Sequence, residues 1–347
     1  MLSSISKLVD KNFIVGFIIP VLLGTIGILA LLRDLDPFRS VYRSMMDPKD
    51  FAKITAIVLL LWTVAILLMV MNHLLYRLLE GYFGPFNRPV WKDRFREQYE
   101  TDRKNLVETH KDVTKPQASR EKKREYFNLL WRFRESWPSS RHLVMPTRFG
   151  NVIRAFETYS DESYGADSIP TWLRLQGVMS KDVRIMVDDA HAQVDFFVNV
   201  WFLAILFIAV ALVRCVGKAY SAMPDLTHAF TTSWGFGLTG IVGLLVCRLA
   251  YAGAVERAHG WGALVKSAFD LYLPALAKQM GYELPPTGDQ RRRFWEGVTS
   301  TFLYQLPMKP EDWPAMMSAG VTPQEPKNSD DEGRDDHAEG DDGDDKD

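Results

Sequence analysis

Charged residues are almost absent from four windows of the chain, which are Phe13 to Leu32, Ile54 to Leu74, Phe196 to Val213 and Ala229 to Cys247. Each window has about the 17–25 residues that an α-helix needs to cross roughly 30 Å of hydrocarbon. The windows lack the polar–apolar alternation that is typical of transmembrane β-strands. The pattern therefore predicts an all-α integral membrane protein with four transmembrane helices.

These windows divide the chain into five segments. They are a first transmembrane pair (1–83), a soluble insert (84–179), a second pair with helical stalks (180–280), a C-terminal segment (281–324) and an acidic tail (325–347). Apolar residues recur at helical spacing in the insert, which predicts a mainly helical region. Ser119, Thr147 and Ser180 each precede such a pattern and are predicted to be helix N-caps.

The helical pattern continues beyond the third and fourth windows on the side of the insert. From Val183 to Val194, apolar residues form one face leading into the third window. After the fourth window, apolar positions follow alternating steps of four and three, as in a coiled-coil seam. These positions are Tyr251, Val255, Ala258, Gly262, Val265, Phe269 and Tyr272. The spacing predicts two stalks that pack on each other.

Charge is distributed unevenly along the chain. The tail from Glu325 to Asp347 has 12 acidic and 3 basic residues, a net charge of −9, whereas the rest carries +7. The tail lacks aromatic and branched apolar residues, so we expect it to be disordered. The diffuse positive charge of the body suits an anionic lipid leaflet and not a nucleic acid. The lipid bilayer is therefore the predicted partner.

Basic residues near the windows indicate the topology. Between the third and fourth windows, the loop from Lys218 to His228 has Lys218 as its only Lys or Arg residue, which is typical of an external loop. The first loop disagrees, because it contains five basic residues, Arg33, Arg39, Arg43, Lys49 and Lys53. No cysteine lies in a soluble segment, which fits a reducing compartment. We expect both termini and the insert to be cytosolic.

A dense polar segment around Thr147 is the candidate ligand site. Gly150 lies inside its predicted helix, where glycine costs about 1 kcal/mol relative to alanine, so a second helix or a ligand is expected to approach closely. The candidate pocket residues are Arg148, Asn151, Arg154 and Asp167. The alternative is a helix docked on the core with a solvated polar face.

The stalks carry a candidate metal site. Glu256 and His259 share one helical face, as do Asp188 and His191 on the other stalk. Carboxylates and imidazoles on facing helices bind iron or manganese in helix bundles. Ion pairs with nearby arginines are the alternative, and the sequence leaves the cofactor undetermined.

Small residues share one face in two of the windows. They are Gly16, Pro20 and Gly24 in the first window, and Gly235, Thr239 and Gly243 in the fourth. Such faces allow close helix packing in lipid. They predict packing within one chain or formation of a homo-oligomer, and the pattern does not choose between the two.

Three short motifs resemble a known family. They are P-T-R-x-G-N-V-x-R-A-x-E from Pro146, Y-G-x-D from Tyr164 and W-x-R-L from Trp172, followed by Phe-Asp-Leu-Tyr from Phe269. The chain from about residue 141 to 295 resembles a family of uncharacterised four-span bacterial membrane proteins, familiar from actinobacteria. The resemblance implies paired spans around a soluble insert and a location in the bacterial plasma membrane. It implies no activity.

These observations favour a non-enzymatic function while leaving an enzyme open. The leading hypothesis is a membrane-anchored sensor, scaffold or regulator that acts through the cytosolic insert. The second is an oligomeric pore or effector gated by that insert, and the third is a metal-dependent membrane enzyme at the base of the stalks. No charge lies at the middle of a window, which argues against an ion-coupled pump.

Overall fold

The computed structural model describes residues 10–36, 38–40, 51–223 and 225–305. Within these ranges the regular structure is helical, and no strand is present. The helical fold class predicted from the sequence is therefore confirmed at this level. The tail 325–347, for which we predicted disorder, lies outside the described residues.

Among the described residues, four helices are long and apolar enough to cross a membrane, and these helices contain the four predicted windows. Helix α1 comprises Lys11–Phe13, a π-helical turn at Ile14–Ile18 and Ile19–Leu32. The other three are α2 (Phe51–Glu80), α8 (Lys181–Ser221) and α9 (Leu226–Gln279).

The remaining helices of the described chain are shorter and more polar. They are α3 (Pro89–Val113), α4 (Arg120–Ser136), α5 (Arg148–Glu157), α6 (Tyr159–Tyr164), α7 (Ser168–Val178) and α10 (Gly288–Tyr304). Helices α3 and α4 form a hairpin, and α5 to α7 follow it before α8 begins. The three predicted N-caps are present, since the side chains of Ser119, Thr147 and Ser180 accept backbone N–H bonds at the starts of α4, α5 and α8.

Helices α8 and α9 make the most extensive helix–helix contact among the described residues. Beyond the apolar windows they remain in contact, because the His191 and Trp261 rings lie 4.5 Å apart. Further along, the Tyr272 hydroxyl donates to Ser180 Oγ at 3.1 Å. The predicted packing of the two stalks on each other is therefore confirmed.

Helix α5 is wedged between the end of α2 and the α9 stalk. Seven of its ten residues are buried. Phe149 packs against Tyr76 of α2 with ring centroids 5.6 Å apart. On the opposite side, Phe156 lies 5.0 Å from the Trp261 ring, and a Cβ added at Gly262 would lie 2.5 Å from Phe156 Cδ1. Gly262 therefore permits α5 to approach α9.

The small residues of the windows contribute to packing within the chain. A Cβ added at Gly16 or Gly24 would lie 3.2 Å and 3.1 Å from side-chain atoms of Asp195 and Leu203, both on α8. A Cβ at Gly243 would lie 2.8 Å from Ile208 of the same helix. These glycines allow close approach of α1 and α9 to α8. Apart from the backbone of α9 itself, no described atom lies within 4 Å of a Cβ at Gly235, so this position is not packed against another described helix.

Candidate functional site

The segment before α5 is attached to the C-terminal end of α2. Thr147 Oγ1 donates to the Leu79 carbonyl at 2.6 Å and accepts from Gly150 N at 2.9 Å. A Cβ at Gly150 would lie 2.5 Å from the Glu80 carbonyl oxygen, so the close approach predicted for this glycine is real and its partner is the end of α2. Gly81, at φ 90°, lies directly against the Pro146 ring. A side chain at this position would clash with that ring, so glycine allows the two segments to meet.

Asn151 holds the chain in position just before α5. Its Oδ1 accepts from Met145 N at 2.8 Å, and its Nδ2 donates to the carbonyls of Met145 and Thr147 at 2.9 and 2.8 Å. The side chain is buried, so these bonds replace the water that its amide group loses on folding. Both N–H groups of the Asn151 amide are therefore used in bonds within the chain. The primary role of this side chain is structural.

A cavity of about 410 Å³ lies between the α3–α4 hairpin on one side and helices α5 and α9 on the other. Its volume falls within the range of roughly 300–1,000 Å³ that small-molecule sites occupy. Residues of α3, α4, α5 and α9 line it: Phe95, Gln98, Asp102, Asn105, Leu106, Leu129, Arg132, Phe133, Ser136, Trp137, Arg148, Asn151, Val152 and His259. The lining thus combines aromatic walls with a few polar and basic groups.

The charged groups of the cavity come from different helices. Arg132 belongs to α4, Arg148 to α5 and His259 to α9. Within the described ranges, neither Arg132 nor Arg148 forms an ion pair. Asp102 is the acidic lining residue, and its Oδ2 accepts from the Trp137 indole N–H at 3.0 Å. Two arginines against one carboxylate leave the cavity with a net positive charge.

The hairpin side of the cavity has its own small core. Tyr99, Trp137 and Val144 are buried there, with Phe95 and Phe133 packed against them. The Tyr99 hydroxyl donates to the Ser139 carbonyl at 2.9 Å, which closes the end of the hairpin. On the other side, Lys266 Nζ of α9 lies 2.9 Å from Glu135 Oε1 of α4, with both side chains largely buried.

Arg154, one of the predicted pocket residues, belongs to a different polar cluster. Its guanidinium donates to the Tyr82 hydroxyl and lies 3.3 Å from Glu157 Oε2. Burial raises the pKa of the Glu157 carboxyl above its usual value, whereas the Arg154 guanidinium acts in the opposite direction. Arg154 therefore ties α5 to the chain after α2 instead of lining the cavity.

Asp167, the fourth predicted pocket residue, caps α7. Its carboxylate accepts from Ile169 N at 3.0 Å, and its own backbone N–H donates to Thr299 Oγ1 at 3.2 Å. It thus fixes the start of α7 against α10. Of the four predicted pocket residues, Arg148 and Asn151 line the cavity, and Arg154 and Asp167 have these other contacts instead.

The four candidate metal ligands do not form one group. Asp188 and Glu256 are exposed, and His259 lines the cavity. The His191 ring lies against Trp261, and its Nε2 is 3.7 Å from Asp195 Oδ1. In the part of the chain that the structure describes, no group of three or more His, Cys, Asp or Glu residues could hold a metal ion.

Sequence reasoning did not identify the residues that α3 and α4 contribute to the cavity. Gln98, Asp102 and Asn105 share one helical face, a signal that was present but is common on exposed helices. Comparison with protein-family models, curated proteins and solved structures found no match to this chain.

Proposed function

We propose that this chain is a multi-pass sensor of the bacterial plasma membrane, in which the cytosolic insert binds a small organic anion. The family resemblance of the motifs from Pro146 to Leu175 supports the bacterial membrane location. The observation that carries the proposal is the positively charged cavity between the α3–α4 hairpin and the stalks.

The chemistry of the lining favours an anion with an apolar part. Arg132 and Arg148 present guanidinium groups without ion-pair partners among the described residues, and such groups bind carboxylates and phosphates through paired hydrogen bonds. The imidazole of His259 adds a further polar group to the lining. The rings of Phe95 and Trp137 provide an apolar surface for the remainder of the ligand.

The position of the cavity supports a sensing function. A ligand there would contact the hairpin and the body at once, because Arg132 lies on α4 and His259 on α9. Such a ligand would therefore favour the position of the hairpin in which α4 and α9 both contact the ligand. Helix α9 is continuous from Leu226 to Gln279, so a change at His259 acts on the helix that contains the fourth apolar window.

Thermal unfolding of the full-length protein in detergent tests this proposal. The probes are inorganic phosphate, a set of aliphatic and aromatic carboxylates, and nucleoside monophosphates, with the corresponding uncharged amides or nucleosides as controls. An anion at about 100 times its Kd should stabilise the folded protein by about 2.7 kcal/mol. The uncharged analogues should have no effect.

Variants of the cavity locate the binding. Arg132→Gln and Arg148→Gln should each remove the stabilisation by the anion, whereas Arg124→Gln, an exposed position of α4 outside the cavity, should retain it. If the anion stabilises all three variants equally, it binds elsewhere. If only neutral or cationic compounds stabilise the wild-type protein, the proposed ligand class is wrong.

A further inference from the structure

A buried carboxylate lies where α1, α2 and α8 meet. Asp195 of α8 is 6% exposed, and it directly precedes the third apolar window. Its Oδ1 accepts from Asn72 Nδ2 and from the Tyr76 hydroxyl, both of α2 and both at 2.8 Å. On the α1 side, the Cβ position of Gly16 lies 3.2 Å from Asp195 Cβ. A charge buried in this way is costly unless it is compensated.

The described residues do not supply a permanent positive charge to this carboxylate. The two hydrogen-bond donors, Asn72 and Tyr76, are neutral. The nearest basic group is the His191 imidazole, at 3.7 Å from Oδ1 and thus beyond hydrogen-bond distance. Lys11, at the start of α1, instead forms an ion pair with Asp189 at 2.7 Å.

Two further oxygens at this junction lack a hydrogen-bond donor. Asn199 lies one turn after Asp195 and is fully buried. Its Nδ2 donates to the Gly16 carbonyl at 2.8 Å, and no described group donates to its Oδ1. Asn72 is similar: its Nδ2 donates to Asp195, and no described group donates to its Oδ1. Both amide orientations are determined by these acceptors, since a flip would place oxygen against oxygen. Unsatisfied buried acceptors of this kind are rare in folded proteins.

The backbone of α1 is irregular at the same level. Gly16 lies in the π-helical turn Ile14–Ile18, and such turns occur frequently at functional sites. The absence of a side chain at Gly16 lets its carbonyl reach Asn199 while Asp195 lies against the same residue. Asp195, Asn72 and Asn199 therefore belong to one junction of three helices, and two amide oxygens of this junction have no donor among the described residues.

We propose that Asp195, Asn72 and Asn199 form a binding site for a monovalent alkali cation. Hard oxygen ligands suit such ions, and a single carboxylate balances a single positive charge. A divalent ion is disfavoured because no group of three or more His, Cys, Asp or Glu residues is present in the described ranges. The bound cation compensates Asp195, supplies the two amide oxygens with a partner and holds α1, α2 and α8 together. This inference is independent of the anion proposed for the insert.

The test compares salts in the full-length protein. The protein is purified in detergent with choline chloride as the only salt, and Tm is measured as choline is replaced by Na⁺, K⁺ or Li⁺ at constant ionic strength. The expected result is a saturable rise in Tm with at least one alkali cation. Equal Tm values in all four salts would overturn the proposal and would assign the unsatisfied oxygens to buried water.

Two variants and a direct measurement complete the experiment. Asp195→Asn keeps the size of the side chain and should lower the affinity for the cation at least tenfold. Asp189→Asn, an acidic position of the same helix that is paired with Lys11, should retain the wild-type response. An undiminished response in Asp195→Asn would contradict the site.

If Asp195→Asn does not fold, binding of ²²Na⁺ to the wild-type protein decides the question. The expected result is one ion per chain, displaced by K⁺ or Li⁺ and not by choline. Absence of saturable ²²Na⁺ binding, together with equal Tm values in the four salts, would overturn the proposal.

Discussion

Replacement of Gly150 by alanine tests the attachment of α5 to the end of α2. The added Cβ would lie 2.5 Å from the Glu80 carbonyl oxygen, 2.9 Å from Met145 Cβ and 3.0 Å from Thr147 Oγ1. The first of these is a backbone atom at the end of α2, which cannot move without displacing the helix. The Thr147 hydroxyl is itself held by bonds to Leu79 and Gly150.

Two opposing effects determine the magnitude. Alanine has a higher helix propensity than glycine, which favours the variant by about 1 kcal/mol. Overpacking of a buried site costs about 1–3 kcal/mol, and contact with a fixed carbonyl places Gly150 toward the upper end of that range. We expect a net loss of about 1–2 kcal/mol, equivalent to a decrease in Tm of about 2–6 °C. Gly150→Leu should lower Tm further.

The assay is thermal unfolding of the purified full-length protein in a single detergent. Gly260→Ala is the matched control, because Gly260 lies inside α9 and, apart from the backbone of α9 itself, no described atom is within 4 Å of its Cβ position. Only the propensity effect operates there, so Tm should stay constant or rise. If Gly150→Ala behaves like Gly260→Ala, the close contact between α5 and the end of α2 is not a determinant of stability and the reasoning is refuted.

Two further predictions concern topology and pH. In a variant that lacks the native cysteines, a cysteine at Ser221 should react with an impermeant reagent on intact cells, and one at Ser119 should not. The reason is the sparse basic charge near Ser221, which is typical of an external loop. Labelling at Ser119 but not at Ser221 would invert the proposed orientation. Burial raises the pKa of Glu157, so the stability that its protonated form contributes is fully present below its unfolded pKa of about 4.5 and is lost as pH rises through the folded pKa. The stability of Glu157→Gln relative to wild type, measured by Tm, should therefore increase as the pH is raised above about 4.5. A difference in Tm that does not change with pH would show that the ionisation of Glu157 is not linked to folding.

Features that depend on neighbouring residues in the chain were predictable from the sequence. The apolar windows identified the four long helices, because the length and composition of a window are properties of one contiguous segment. The N-caps at Ser119, Thr147 and Ser180 bond to groups three residues away, so their spacing is visible in the sequence. The close approach at Gly150 was predictable because glycine is unfavourable in a helix without such a reason.

The partners of these elements depend on contacts between distant parts of the chain. The sequence could not show that Gly150 meets Glu80, or that Arg154 turns to Tyr82 while Arg148 lines the cavity, since both lie on the polar side of one short helix. Helical spacing alone allows either arginine to line the cavity. Only the packing of α5 against α2 and α4 determines that Arg148 lines it and that Arg154 does not.

The cluster around Asp195 shows the same limit most clearly. Asp195 was visible in the sequence as a carboxylate at the edge of an apolar window, where many such groups contact water. Its partners Asn72 and Tyr76 are 123 and 119 residues away in the chain. The sequence by itself determined the four long apolar helices and the starts of α4, α5 and α8, because these follow from local composition, periodicity and capping. Only the tertiary structure decided which polar groups are buried together, because burial depends on how separate helices pack.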